Sequence, residues 1–278
     1  MSATASEATA ALSGVPTSTP ALVACDVDGT LVRAGRRPTP AVLDAIAAVR
    51  AAGHHLVVAT GGSLSAAVQV VPRLGIREGW VVAANGAVTA RLDADGYSVV
   101  DVRPLAAEPV CRLVARTRPD LSLGAEVVGS GYRVTRRFPE RRLSGSQEVV
   151  RELQDVWARP TPRVVVYGQW AQRLAPALRA SGVTAIPARV DWVDVTAPGV
   201  SKATALESIR VELGVAPTRT VAVGDGENDL EMLRWAATSI AMGHAPESVR
   251  AVAGRVTGTI DEDGAADALL DALLLRAA

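Results

Sequence analysis

The 278-residue chain carries 29 Lys plus Arg and 29 Asp plus Glu, so its formal net charge is zero. This balance argues against a protein that coats nucleic acid or an anionic membrane, and neither is expected as a partner. Hydrophobic residues make up 49% of the chain but aromatic residues only 3%, so Ala, Val and Leu must build the core and stacking platforms for bases are scarce.

The first 20 residues are rich in Ala, Ser, Thr and Pro and contain one charged side chain, Glu7. Because they have neither a basic start nor a long apolar run, they are predicted to form a disordered leader rather than a signal peptide. The sequence contains no run of about 18 uninterrupted apolar residues, the length that a membrane helix requires. We therefore expect a soluble, cytoplasmic protein.

The first predicted elements alternate between strand and helix. Residues 21–25 form a short apolar run that ends in Asp and Gly, as a buried parallel strand does where it delivers polar side chains to its carboxyl end. Helix and strand then follow in turn over residues 39–53, 56–59, 63–74 and 80–84. Strands separated by helices of this length predict right-handed crossovers and a parallel sheet covered on both faces.

The pattern changes in the middle third of the chain. Residues 87–92 and 97–102 flank Asp93-Ala94-Asp95-Gly96, whose Asp-Gly ending predicts a hairpin turn. Short strands are predicted over residues 121–128, 132–135, 164–167, 184–186 and 192–196, with helices near 106–117, 146–158 and 170–181. This mixture predicts an α+β unit that is separate from the first.

The first pattern returns after Gly199. The predicted elements are helices over residues 201–213 and 229–235, strands over 220–223 and 239–242, and a closing helix from residue 265. We therefore predict an α/β fold whose core, a Rossmann-like, doubly wound parallel sheet, occupies residues 21–88 and 192–278. An inserted α+β domain, residues 89–191, separates the two pieces of this core.

Reactive groups concentrate at the carboxyl ends of the predicted core strands, the edge at which an open α/β sheet binds ligands. Asp26 and Asp28 follow the first strand, and Gly29 permits a turn that brings both carboxylates to one site. One carboxylate can attack phosphorus while the other donates and later accepts a proton. Taken alone, the same string also suits a plain turn.

Two further segments suit phosphate binding. Thr60-Gly61-Gly62-Ser63 offers a hydroxyl and backbone N–H groups at a helix start, although an ordinary loop with a Ser N-cap has the same composition. Lys202 follows Ser201 in the first turn of a predicted helix, where the helix dipole disfavours a cation. Lys202 therefore requires an anionic neighbour, unless it is a solvated surface charge.

The segment after the predicted strand 220–223 is the most informative. Gly224-Asp225-Gly226-Glu227-Asn228-Asp229 places two glycines and four polar or acidic groups directly after an apolar run, which packing does not explain. Clustered carboxylates without His or Cys are hard oxygen ligands, which favour Mg²⁺ over zinc. A solvated turn with a helix N-cap is the alternative.

Together the four segments resemble the four motifs of the haloacid dehalogenase (HAD) superfamily of phosphotransferases, and the resemblance runs from about residue 21 to about residue 270. Five further strings are most similar to the Cof-type subfamily. These are Asn85-Gly86-Ala87, Gly199-Val200-Ser201-Lys202, Ala203-Thr204-Ala205-Leu206, Ala241-Met242-Gly243 and Asp263-Gly264. The resemblance implies a phosphatase whose inserted domain is a cap that closes over the active site and supplies specificity.

The resemblance also implies a role for each matching residue. Asp26 would be the nucleophile and Asp28 the general acid and base. Mg²⁺ would be held by Asp26, the backbone carbonyl of Asp28 and Asp225. Asp229 would sit close behind, as a ligand through water or as the group that orients Lys202. The residues that would bind the transferring phosphoryl group are Thr60, Gly61, Lys202 and Asn228.

The chain departs from the family pattern at two positions. Gly62 stands where many Cof-type members have Arg, so a basic side chain near the substrate is missing from this loop. His244 follows Ala241-Met242-Gly243 where Asn is common, and it is expected to be a loop residue. The insert contains four arginines close together, Arg136, Arg137, Arg141 and Arg142. They could contact an anionic substrate, but a solvated loop is the preferred interpretation.

We therefore predict a Mg²⁺-dependent phosphatase that hydrolyses small phosphorylated metabolites, such as sugar phosphates or related monoesters, through an aspartyl-phosphate on Asp26. Two alternatives use the same residues differently. A phosphomutase would keep the phosphoryl group for a second substrate. A non-catalytic sensor would bind a phosphometabolite without turning it over.

Overall fold

The computed structural model describes residues 19–33 and 35–273. The predicted disordered leader, residues 1–20, lies outside the described residues apart from its last two. Within the described ranges, every helix is too short or too polar to cross a bilayer. Two β-sheets organise these residues, one of eight strands and one of six.

Both ends of the chain contribute to the larger sheet. Its strands are β1 (Leu22–Cys25), β2 (His55–Ala59), β3 (Gly79–Ala83), β4 (Val88–Asp93), β5 (Gly96–Val102), β12 (Thr220–Gly224), β13 (Thr238–Ala241) and β14 (Arg255–Val256). They stand in the order β14-β13-β12-β1-β2-β3-β4-β5. The pairs from β14 to β3 are parallel, and β4 and β5 continue the sheet in antiparallel pairing. β1 therefore lies inside the parallel part, between β2 and β12.

Helices cover both faces of this sheet. One face packs against α1 (Pro40–Ala51), α2 (Leu64–Val70) and α8 (Gly264–Ala272). The opposite face packs against α5 (Lys202–Glu212), α6 (Leu230–Trp235) and α7 (Glu247–Arg250). The alternation of a β-strand explains the two layers, because Val23 and Cys25 of β1 belong to the first and Leu22 and Ala24 to the second.

The second sheet forms the cap. Its strands are β6 (Ser122–Val127), β7 (Gly131–Val134), β8 (Ser146–Val149), β9 (Arg163–Tyr167), β10 (Thr184–Arg189) and β11 (Trp192–Thr196), in the order β10-β11-β9-β6-β7-β8. The helices α3 (Ala107–Thr117) and α4 (Ala175–Ala180) pack on one face, through an apolar layer that includes Val110, Leu123 and Val166. Elsewhere in this domain, the rings of Phe138 and Tyr167 pack with centroids 5.1 Å apart.

The strand pairing of the two sheets favours other boundaries for the insert. Residues 89–102 are predicted to belong to the insert, but β4 pairs with β3 and so extends the core sheet. Residues 192–196 are predicted to belong to the core, but β11 pairs with β9 and β10 of the cap. We therefore propose that the cap begins after β5 and ends with β11, after residue 196.

Two local predictions for these segments have opposite outcomes. The hairpin is present, with Asp93 paired to Gly96 across the predicted turn. The helix predicted near residues 146–158 is wrong, because Ser146–Val149 forms β8 and a short 3-10 helix covers Leu153–Val156. Backbone pairing with β7 makes this segment a strand. The side chain of Gln147 adds to its anchoring, because it accepts a hydrogen bond from Phe138 N at 2.8 Å and donates one to Phe138 O at 3.3 Å.

Candidate active site

Three loops meet at the carboxyl edge of the core sheet. Asp26 follows β1, Thr60 follows β2 and Asp225 follows β12. These loops are neighbours because β1 pairs in parallel with both β2 and β12, so the three strands end at the same edge. The sheet therefore brings together segments that are far apart in the sequence.

Lys202 is the centre of the acidic cluster. Its Nζ lies 2.5 Å from Asp26 Oδ1 and 2.6 Å from Asp229 Oδ1, and its side chain is fully buried. Burial alone would lower the pKa of Lys202, but the charges of Asp229 and Asp26 outweigh burial and raise that pKa. Lys202 therefore remains a cation, and the anionic neighbour that its position in the first helical turn requires is present.

The start of α5 fixes where Lys202 sits. Ser201 is the N-cap of this helix, and its side chain accepts a hydrogen bond from Thr204 N at 3.3 Å. Gly86, in the turn after β3, lies against the same point, because a Cβ at Gly86 would overlap the Ser201 carbonyl oxygen. The close approach holds Lys202 over the end of β1.

Asp229 uses both carboxylate oxygens within the protein. Oδ1 meets Lys202, while Oδ2 accepts hydrogen bonds from Asp225 N at 3.0 Å and Gly226 N at 2.9 Å. Asp229 therefore holds the loop after β12 in place and orients Lys202. This geometry favours the second of the two roles that the sequence left open for Asp229.

Asp225 faces the turn after β1. Its Oδ1 accepts a hydrogen bond from Thr30 Oγ1 at 2.9 Å, and its Oδ2 lies 3.7 Å from His244 Nε2. Gly29 has φ +95° and a Cβ there would overlap Asp225 Oδ2, so glycine is required both for the conformation and for the close approach. Burial raises the pKa of Asp225, and the charge of Asp229 adds to the effect.

The three buried or half-buried carboxylates can share a cation. One oxygen each from Asp26, Asp225 and Asp229 lie within 4.8 Å of one another. Burial raises the pKa of Asp26 well above its usual range, and Lys202 opposes this shift without overcoming it. An additional positive charge would keep Asp26 ionised, and an all-oxygen donor set suits a hard divalent cation such as Mg²⁺. These carboxylates therefore fit the Mg²⁺ ion that the family resemblance implies.

A second group of polar residues lies beside Gly61. Asn228 Nδ2 donates to Asn85 Oδ1 at 3.0 Å, and a Cβ on Gly61 would stand 2.9 Å from Asn85 Oδ1 and 3.1 Å from Asn228 Nδ2. Thr60 Oγ1 accepts a hydrogen bond from Gly62 N at 2.9 Å, which shapes the turn. The structure thus brings Gly61 and Asn228 together, with Thr60 one residue away.

Asp28 differs from Asp26 in its surroundings. Its side chain is exposed at the turn, whereas Asp26 is only 5% exposed. Partial desolvation raises the pKa of Asp28, against the attraction of Lys202 and of Arg189 at the end of β10 in the cap. A carboxyl group with a raised pKa that remains accessible is suited to giving up a proton.

Sequence reasoning gave no site role to several residues that the structure places here. Asn85 enters the sequence analysis only through a family string, and Thr30 has no predicted role. Asp194 lies in a predicted strand and Arg163 directly precedes another, yet Arg163 Nη1 donates to the Gly61 carbonyl oxygen. A charged residue within or beside an apolar strand is the signal that could identify these two.

Of the four arginines of the cap loop, two are bound within the cap and two are exposed. Arg136 donates to the backbone carbonyls of Asp120 at 2.7 Å and Pro119 at 2.8 Å. Arg142 pairs with Asp191 at 2.8 Å. Arg137 and Arg141 are exposed loop residues.

The site places a buried lysine among carboxylates at the carboxyl edge of a parallel sheet, beside an inserted α+β domain. This arrangement defines a class of phosphoryl-transfer enzyme with an α/β core and a cap. The model of the haloacid dehalogenase-like hydrolase family matches residues 23–119 and 170–269. The chain belongs to this family, and to its Cof-type members.

Known relatives and structures are similar over nearly the whole chain. A phosphoglycolate phosphatase of Natronomonas pharaonis is 31% identical over 249 residues, which cover 89% of this chain and 95% of that protein. The 5-amino-6-(5-phospho-D-ribitylamino)uracil phosphatase YitU of Bacillus subtilis is 26% identical over 262 residues, with coverage of 89% and 95%. The structure of a HAD-superfamily phosphatase from Bacteroides thetaiotaomicron matches with a TM-score of 0.77 and 27% identity, over 94% of this chain and 99% of that one.

These similarities confirm the predicted fold class, a Rossmann-like parallel core with an inserted α+β cap. They also establish that the protein is an enzyme, a HAD-family phosphatase that hydrolyses phosphate esters.

Proposed function

We propose that the protein is a Mg²⁺-dependent phosphatase of small phosphorylated metabolites, such as sugar phosphates or related monoesters, and that it works through an aspartyl-phosphate on Asp26. The contact of 2.5 Å between Asp26 and the buried Lys202 carries this proposal. It orients a carboxylate at the end of β1, and Asp225 lies close enough to share a cation with it.

The proposed cycle has two steps. A carboxylate oxygen of Asp26 attacks phosphorus, the bond between phosphorus and the ester oxygen breaks, and Asp28 gives its proton to the departing oxygen. A water molecule then attacks the phosphorus of the aspartyl-phosphate, Asp28 takes up a proton from that water, and inorganic phosphate leaves with Asp26 restored. Asp28 is exposed, so both protons can be exchanged at the open side of the site.

The remaining residues bind and neutralise the phosphoryl oxygens. Lys202 supplies a fixed positive charge next to the attacking carboxylate. Thr60, the Gly61 N–H group and Asn228 offer hydrogen-bond donors on the other side of the site. Asp26, the Asp28 carbonyl and Asp225 would hold Mg²⁺, which when bound supplies further positive charge to the phosphoryl group and to Asp26.

The relatives support a small substrate. Those reported above are named for phosphoglycolate and for a phosphoribitylaminouracil, both of them small phosphate monoesters. Both alignments cover 89% of this chain, which is more than its core alone, so they include cap residues and support a substrate of similar size for this chain.

The proposal is tested by assaying phosphate release from p-nitrophenyl phosphate and from a panel of sugar and carboxylic acid phosphates. We expect turnover with Mg²⁺, loss of turnover after chelation, and a fall of roughly 10³-fold or more in kcat for Asp26→Asn with the fold retained. Wild-type turnover by Asp26→Asn would refute the assignment of the nucleophile. Phosphate released in proportion to product excludes a phosphomutase, and turnover of any ester excludes a sensor.

A further inference from the structure

The cap strand β9 begins with a buried arginine. Arg163 is only 2% exposed, although it is the first residue of a strand that continues as Val-Val-Val-Tyr. Its Nε donates to Glu126 Oε2 at 3.0 Å and its Nη2 donates to the Tyr132 hydroxyl at 2.7 Å, and both partners belong to the cap. These partners outweigh the cost of burial and raise the pKa of Arg163, so the group stays charged.

The same guanidinium reaches the core. Arg163 Nη1 donates to the carbonyl oxygen of Gly61 and to Asp194 Oδ1, the latter at 3.2 Å. Asp194 Oδ2 accepts a hydrogen bond from Asn85 Nδ2 at 3.3 Å. Since Asn85 in turn accepts from Asn228, a continuous series of hydrogen bonds joins β9 of the cap to the phosphate-binding side of the site.

The hydrogen-bond donors of the Arg163 guanidinium favour a positioning role over substrate binding. A guanidinium has five N–H groups, one on Nε and two on each Nη. Nε and Nη2 meet Glu126, Nη2 also meets Tyr132, and Nη1 meets Gly61 and Asp194. Four of the five N–H groups thus hydrogen-bond within the protein, and Nη2 is also ion-paired with Glu126 at 2.8 Å, so the guanidinium is engaged by protein partners rather than by a substrate.

The loop that Arg163 contacts contains two adjacent glycines, Gly61 and Gly62, which have no side chains to bring to the site. Its backbone is tied to the turn after β3, because Ala84 N donates to the Gly62 carbonyl oxygen at 2.7 Å, and Arg163 adds a contact to the Gly61 carbonyl oxygen from the other domain. Tyr132 also interacts with Ser63, the N-cap of α2, so the cap touches both ends of the glycine pair. The guanidinium that contacts this loop therefore comes from the cap.

We propose that Arg163 is a positioning residue: in the closed arrangement of cap and core it fixes the Gly61 carbonyl directly, and it fixes Asn228 through Asp194 and Asn85. The inference rests on the proposed function of this site. It predicts that losing Arg163 misplaces the phosphate-binding groups while Asp26, Lys202 and Asp225 stay where they are.

The test compares variants that keep buried charges balanced. Arg163→Met alone would leave two buried carboxylates, Glu126 and Asp194, without their cation, so the principal variant adds Glu126→Gln, which keeps the summed charge of the three residues unchanged. Arg163→Lys is the conservative variant. Arg133→Met is the matched control, because Arg133 is also a buried arginine of a cap strand, 3% exposed, but donates to the backbone carbonyls of Asp155 and Arg159 within the cap.

Two readouts are used on the full-length protein. With p-nitrophenyl phosphate and Mg²⁺, we expect the double variant to lose about 10²-fold in kcat/KM, because small misplacements of binding groups have effects of that size. Arg163→Lys should recover part of the loss, and Arg133→Met should keep kcat/KM within about threefold of the wild type. Hydrogen exchange of the amides in residues 60–63 should be faster in the double variant than in the wild type or Arg133→Met.

Each outcome bears on the proposal. Unchanged kcat/KM and unchanged exchange in the double variant would overturn it, as would an equal loss in Arg133→Met. If the wild type itself hydrolyses no phosphate ester, the proposed function fails, and the exchange of residues 60–63 alone decides whether Arg163 holds this loop.

Discussion

Asp26 and Asp28 are two residues apart, yet their environments assign them different chemistry. Asp26 is buried and held by Lys202, which fixes the direction of its carboxylate. Asp28 is exposed, and partial desolvation raises its pKa. The held group is suited to attack phosphorus, whereas the accessible group with the raised pKa is suited to carry a proton in and out.

The role of Asp28 predicts a specific pH dependence. Asp28 must be protonated in the first step, so kcat/KM should fall as the pH rises through its pKa, which lies above the ordinary range for Asp. Asp28→Asn should abolish this alkaline limb and lower kcat/KM by about 10²-fold or more for an alkyl ester such as glucose 6-phosphate. The loss should be smaller for p-nitrophenyl phosphate, because p-nitrophenolate leaves without a proton. Equal losses for the two esters, measured as full pH profiles, would contradict the assignment.

The residues of the site divide into those that the sequence could reveal and those it could not. Asp26, Thr60 and Asp225 follow apolar strands, so their position at one edge of a parallel sheet could be predicted. Arg163 and Asp194 lie within cap strands, and only the docking of cap against core brings them to Gly61 and Asn85. No local pattern encodes a contact between two domains.

At the scale of elements, the turn after β3 sets the start of α5. Ala84, Asn85 and Gly86 have φ values of 50°, 55° and 99°, so three successive residues adopt the left-handed region. Two of them are not glycine, which makes this a strained turn. Two contacts stabilise this strained turn: the packing of Gly86 against Ser201 and the hydrogen bond from Asn228 to Asn85.

Gly86→Ala tests this contact. A Cβ at residue 86 would overlap the Ser201 carbonyl oxygen, so we expect a loss of about 3 kcal/mol or more in the free energy of unfolding. Gly75→Ala is the control, because Gly75 has φ +72° but no atom within 4 Å of its Cβ position, and should cost about 1 kcal/mol. Both are measured by urea unfolding. Equal losses would mean that the approach of the turn to α5 is unimportant.

Elements of the core could be predicted better than those of the cap. In the core, the central strands such as β1 and β12 are apolar runs followed by Gly or polar residues. In the cap, Ser146–Val149 is a polar segment predicted as helix, but pairing with β7 and the bonds of Gln147 to Phe138 make it a strand. Contacts between distant residues outweighed the local preference.

At the scale of the whole molecule, a neutral chain contains a strongly acidic site. Asp26, Asp28, Asp225 and Asp229 carry −4 if all are ionised and Lys202 carries +1, which leaves −3, and a divalent cation reduces this to −1. Without a bound metal ion, such a site would repel a phosphate dianion. The zero total therefore argues against a protein whose main task is to bind polyanions, and it is compatible with a phosphate enzyme.

This charge balance predicts that Mg²⁺ stabilises the fold. A ligand at about 100 times its Kd adds about 2.7 kcal/mol to the free energy of unfolding, which corresponds to a rise of roughly 5–10 °C in Tm for a chain of this size. Asp225→Asn should remove most of this rise, while Asp101→Asn, on the exposed strand β5, should keep it. Thermal melts of each protein with and without Mg²⁺ provide the measurement, and the same rise in Asp225→Asn would contradict the proposed metal site.

The central claim is that Asp26 becomes phosphorylated. The most direct measurement is mass spectrometry of peptides from protein quenched in acid during turnover, with Asp28→Asn used to slow hydrolysis of the intermediate. We predict that the peptide containing Asp26 is heavier by one phosphoryl group in this variant, and that Asp26→Asn shows neither the modified peptide nor turnover. A phosphoryl group on another residue, or turnover at the wild-type rate by Asp26→Asn, would contradict the mechanism.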